Sequence, residues 1–167
     1  KRNIAFEEFI SDPKKPVPYS EDIKQAGLTP RKYMTDDQRF AARRPDVIVF
    51  ETEVLNEDIT LAGEIVAKLQ VSTTGTDADW VVKVIDIFPN DEPETKEVAP
   101  YLKMSNYHVM VHSEVMRGRF RNSFSKPEPF VVNEKTPVNI KLQDVFHTFK
   151  KGHKIQIQVQ STWFPFI

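Results

Sequence analysis

From Asp46 onward apolar and polar residues alternate with a period of two. That is the spacing of strands with one face on a core and the other in water. Val47-Ile48-Val49-Phe50 is a short β-rich run, and Leu61, Gly63, Ile65, Ala67, Leu69 and Val71 share one face of a long strand against Glu64, Lys68 and Gln70. Val109, Val111 and Val115 alternate with polar residues, as do Val138, Ile140 and Leu142. The most regular case sets Ile155, Ile157 and Val159 against Gln156, Gln158 and Gln160, which predicts a watery face for the three glutamines. Trp80 to Phe88 is apolar on both faces apart from Lys83 and Asp86, the pattern of a central sandwich strand.

Turn-forming residues punctuate these runs at Thr74-Gly75-Thr76-Asp77, Pro89 to Pro93, Lys126-Pro127-Glu128-Pro129 and Lys150-Lys151-Gly152. Short strands so separated, without helical crossovers, predict an all-β sandwich and not a parallel α/β sheet. Residues 1–45 read differently. They hold five of the 12 prolines and a charge of +3, against −4 for the remainder. Pro13-Lys14-Lys15-Pro16-Val17-Pro18 favours extended backbone, because proline fixes φ and biases the residue before it. This segment is expected to lie as a strap over the larger body. Thr35-Asp36-Asp37-Gln38 matches a capping box for a short helix that Arg43, Arg44 and Pro45 close. Ser20 to Gly27 is a weaker candidate for a second helical turn.

Length and composition narrow the function. A chain of 167 residues suits one domain with its own core. Net charge −1 supplies no cationic surface for nucleic acid, and no apolar run approaches the ~20 residues of a membrane helix. Zero cysteine removes disulfides, thiol catalysis and Cys-based zinc sites together. The compartment stays unknown, with an exported (periplasmic or secreted) bacterial protein slightly favoured. The chain starts at Lys1 and stops after an apolar Trp-Phe-Pro-Phe run, so it is expected to be a fragment of a longer protein.

Candidate chemistry is sparse. No serine sits in Gly-x-Ser-x-Gly, and five glycines cannot build a phosphate-cradling loop. His108 and His112, four apart on a strand, would be about 13 Å apart on one face, too far to share a metal. With His147 and His153 they are expected at the surface. Asp77, Asp79, Asp86 and Asp91 match no calcium loop and suit turn roles. Catalytic, cofactor-binding and metal residues are therefore expected to be none. Arg117-Gly118-Arg119-Phe120-Arg121 is a dense basic cluster whose alternation points Arg117, Arg119 and Arg121 to one face. It reads either as surface ion pairs within the domain or as a docking site on a neighbouring domain. Trp163 and Phe164 follow the last strand and are further interface candidates. They also leave open a carbohydrate-binding reading.

Asp36 to Val47 resembles the lead-in to the C-terminal domain of α-amino acid ester hydrolases. Thr74 to Trp80, Val115 to Phe124, Phe149 to His153 and Ser161 to Pro165 resemble that domain in the same order, as does Pro16-Val17-Pro18-Tyr19 in the strap. These enzymes belong to the CocE/NonD type of serine hydrolases, with cocaine esterase, glutaryl acylases and X-Pro dipeptidyl peptidases. The resemblance implies a jelly-roll β-sandwich, galactose-binding-like in fold, at 46–167 and C-terminally truncated, behind the strap at 1–45. It implies a non-catalytic domain packed on an α/β-hydrolase domain that carries the Ser, Asp and His triad, so no triad residue transfers to this sequence. The partner implied is that upstream domain of the same chain. No cofactor, nucleic acid or membrane is implied, and a homo-oligomer remains open.

Overall fold

The computed structural model describes residues 6–22, 31–96 and 98–167. Among these residues six strands form two antiparallel sheets. The strands are β1 (Ile48–Glu51), β2 (Ile59–Val71), β3 (Asp79–Ile87), β4 (His108–Arg117), β5 (Thr136–Phe149) and β6 (Lys154–Gln160). One sheet has the order β1-β6-β3-β4, and the other is the long pair β2-β5. The chain passes between the sheets repeatedly, in jelly-roll manner, with six strands where a full jelly roll has about eight.

All six apolar runs lie within or overlap strands. β3 lies inside the sheet, paired with β4 on one side and β6 on the other, and it is apolar on both faces because the core covers Trp80, Val82 and Val84 while Tyr19 and Trp163 cover Val81 on the opposite face. Between the sheets lie Trp80, Val82 and Val84 of β3, Val159 of β6, and Val138, Ile140, Leu142 and Phe149 of β5, with Phe130 closing one end. Alternation holds along β2, although its register slips between Gly63 and Ile65. Gly63 adopts φ +113 there, a conformation that side chains rarely take.

The outer face of the four-stranded sheet is where expectation and structure part. Gln156, Gln158 and Gln160 are buried, not in water, because residues 13–20 and 35–47 lie across them. Val17, Ala41 and Val47 form one small cluster on this side; Tyr19, Val81 and Trp163 form another. The strap is pinned to the chain's last segment. Phe164 donates its amide to the Val17 carbonyl at 2.8 Å, and Tyr19 donates to the Phe164 carbonyl at 2.9 Å.

The short helix α1 spans Arg39–Ala42, with Gln38 as its N-cap and no side-chain bond from that residue to the first turn. The expected capping box does not form. Asp37 instead accepts the Arg39 amide at 3.0 Å, and Gln38 turns inward. A 3₁₀ turn at Arg31–Met34 precedes it. Residues 23–27 of the second expected helical turn lie outside the described residues, and Ser20-Glu21 forms a bend.

Candidate functional site

Three places gather chemistry-bearing side chains. The first is beneath the strap. Lys83 projects from the middle of β3 and is wholly buried. Its ammonium donates to Gln38 Oε1 at 3.1 Å and lies 5.7 and 5.6 Å from the Phe40 and Trp163 ring centroids. Burial disfavours its charge and lowers its pKa from 10.5 to about 7. Gln158, opposite Lys83, donates to the Gln38 carbonyl at 3.2 Å and to Gln156 Oε1 at 2.8 Å. Gln156 in turn donates to Glu51 at 2.7 Å. The Gln38 amide donates to the His108 carbonyl at 3.0 Å, and burial lowers the pKa of the His108 ring.

The sequence reading passed over this layer. Two signals marked it: a lone lysine inside an apolar run, and a polar stripe of neutral amides where an exposed strand would carry charges. Amides satisfy each other under cover without the desolvation cost of ions.

The second place is at one end of the sandwich. Asp86, buried on β3, takes His147 Nε2 of β5 at 2.8 Å and His153 Nδ1 at 2.7 Å. This carboxylate ties the two sheets together. It holds two parts of an acid–imidazole relay, but among the described residues no serine hydroxyl is bonded to either ring. No group of three or more His, Asp or Glu is placed to hold a metal among those residues.

The histidines are not ordinary surface groups. His108 and His153 are buried, and His112 is half-buried. Nor do His108 and His112 share a face. The register slips between Val84 and Ile85, setting His112 opposite core-facing Val84 and His108 opposite Ile87.

The third place is the arginine cluster. Strand β4 ends at Arg117, and Gly118–Phe120 forms a 3₁₀ turn, so alternation does not carry the three arginines to one face. Arg117 bonds Asp79 at 2.8 Å, and Arg119 bonds Asp77. These two aspartates thus serve as anchors for arginines. Arg121 is largely buried. It donates to the Gly118 and Glu128 carbonyls at 3.0 and 2.7 Å and covers the Phe130 ring at 4.4 Å. Gly118 is required by close approach: a methyl there would lie 2.5 and 2.8 Å from Phe130 Cε2 and Cζ and press on the Ala78 carbonyl.

Trp163 is buried against Tyr33, Phe166 and Lys83, and Trp80 belongs to the inner core. Neither presents a face for stacking a sugar, so the carbohydrate-binding reading loses its aromatic platform. Phe164 stays 45% exposed beside a shallow groove lined by Pro13, Lys14, Lys15, Pro16, Pro18 and Arg44.

Fold and chemistry together define an all-β support domain whose polar interior is spent on holding its own layers together. The chain belongs to the X-Pro dipeptidyl-peptidase C-terminal non-catalytic domain family, whose model matches residues 17–167. It is 29% identical over 129 residues to cocaine esterase of Rhodococcus sp. (strain MB1 Bresler), covering 77% of this chain but 20% of that protein. An α-amino acid ester hydrolase structure matches with TM-score 0.84 and 41% identity, over 96% of this chain and 25% of that one. An aminopeptidase from a marine sediment archaeon (Thaumarchaeota archaeon) matches with TM-score 0.82 and 42% identity, over 93% of this chain and 25% of that one. The chain thus spans a fifth to a quarter of the length of these relatives.

Proposed function

We propose that this chain is the C-terminal support of a longer serine hydrolase, which cleaves ester or amide bonds through an acyl-enzyme on an α/β-hydrolase domain. Its part is to brace that domain and form one wall of the cleft. The observation that carries this reading is an asymmetry of coverage: nearly all of this chain matches only a quarter of each hydrolase structure, at 41–42% identity. Residues 1–45 are taken as the strap and 46–167 as the sandwich it clamps.

Of the interface candidates, Phe164 and the exposed Arg117 and Arg119 have surface to offer a partner. Trp163 and Arg121 act from beneath, by fixing the backbone that presents them. A second copy of this chain is the competing partner, and light scattering separates the two. A serine-directed fluorophosphonate probe tests the main reading. The longer polypeptide carrying this chain should be labelled once, at a serine outside residues 1–167. Stoichiometric labelling of any serine within the chain overturns it.

A further inference from the structure

The layer under the strap contains two basic side chains whose charged forms are opposed by the same cover. Lys83 is enclosed by Gln38 and Phe40 around α1 and by Trp163 of the terminal segment, with a neutral amide oxygen as its hydrogen-bond acceptor. His108 lies at the edge of the layer, its Nδ1 buried without a hydrogen-bond partner among the described residues. The other titratable or charged groups packed around this face are already engaged. Asp36 accepts from Ser20, Asp37 pairs with Arg39, Glu51 takes Gln156 and lies 3.5 Å from Lys154, and Tyr107 donates to the Thr35 carbonyl. Tyr19 and Tyr33 pack edge-on at the aromatic end.

The cover itself is slight. α1 spans four residues, and the strap is held by backbone bonds at Val17, Tyr19 and Gln38, by the Lys83 and Gln158 bonds to Gln38, and by the two small clusters around Val17 and Tyr19. The inner core, by contrast, is closed by whole strands. Elements with few buried apolar contacts open locally before the fold as a whole does.

We propose that residues 13–20 and 35–45 form a proton-sensitive latch, which lifts from the outer face of the four-stranded sheet as Lys83 takes up a proton. Closed, the latch shuts the ammonium from bulk solvent and gives it a neutral amide oxygen as acceptor. Open, it lets Lys83 reach solvent and keep its charge.

The direction follows from linkage. Lys83 titrates near 7 when covered and near its ordinary 10.5 when solvated. Between those values opening takes up one proton, so the opening constant rises about tenfold for each unit the pH falls. Below pH 7 Lys83 is charged in both states and adds no further slope. The same cover lowers the His108 pKa from 6.5, so that ring responds only at more acid pH.

Hydrogen exchange by mass spectrometry on the full-length protein tests this, reading peptides across Lys15–Glu21 and Asp36–Arg44 against peptides from β3. After correction for intrinsic exchange, strap protection should fall about fiftyfold from pH 9 to pH 7 relative to β3, since Lys83 is already half charged in the closed state at pH 7. Lys83→Met should abolish that slope, while His108→Gln keeps it. A flat profile, or the same slope in strap and β3, overturns the latch. If Lys83→Met does not fold, the Lys83 side-chain resonances of the unmodified protein decide: a midpoint near 7 supports the latch, and one near 10.5 overturns it.

Discussion

The two faces of the four-stranded sheet are both buried, yet they are buried by different means. The inner face, toward β2 and β5, is closed by Trp80, Val82, Val84 and Val159 against Val138, Ile140, Leu142 and Phe149. The outer face, under the strap, sets Lys83 and three glutamines against Gln38 and its neighbours. Apolar packing is non-directional and tolerates exchange of shape at constant volume. The amide layer is directional, and each lost partner strands another group out of water. One face therefore supplies most of the stability, and the other fixes where the strap lies.

The comparison breaks most directly at Phe149. Its ring is fully buried at the end of β5, and Phe149→Ala should lower unfolding free energy by about 3–5 kcal/mol. A urea midpoint displaced by much less than that would mean the two sheets do not share one core. Gly118→Ala probes the same core from its rim. The added methyl meets Phe130 and a backbone carbonyl, neither of which can swing away, so a loss of about 1–3 kcal/mol is expected. A neutral result would show that the Ala78–Gly118 approach is looser than the structure has it.

The outer face should respond differently. Gln158→Leu keeps the volume but removes the donor to Gln38 and Gln156. It also removes the unpartnered Gln158 Oε1, which offsets part of the cost. The expected loss of overall stability is about 1 kcal/mol. Strap amides should lose protection while β3 amides keep theirs. Equal loss in both would put the glutamines on the same footing as the inner core.

This contrast also explains what could be read from the chain. Period-two alternation located four of the six strands, a β-rich run located β1, and the doubly apolar run marked β3 as central, because strand geometry is written in neighbouring residues. The destination of a polar face is not local. Ile155 to Gln160 alternates perfectly whether the glutamines meet water or a strap that lies more than 100 residues earlier in sequence. His108 and His112 were misplaced for a similar reason, since a single register slip in β4 reverses the facing of all that precedes it. The arginine cluster failed at a boundary: β4 stops at Arg117, and the glycine that follows permits a turn where alternation assumed strand. Asp86 with its two histidines joins three separate segments, a grouping that no spacing in the sequence contains.

The smallest effect should come from Arg119, and its smallness is informative. Arg119 and Asp77 form a close pair that holds the guanidinium more firmly protonated, but the arginine stands in solvent, where salt screens the attraction and ordering a long side chain opposes it. Arg119→Ala should leave the urea midpoint unchanged within error at physiological salt. Arg121, two residues further on and sunk over Phe130, should not be so tolerant, because its bonds to the Gly118 and Glu128 carbonyls close the loop that caps the core. The two substitutions separate surface from support within one short motif. If Arg119→Ala weakens association with the hydrolase domain while sparing the midpoint, its pairing with Asp77 is a resting arrangement that a docked carboxylate can replace. If it lowers the midpoint as Arg121→Ala does, the whole cluster belongs to the sandwich alone.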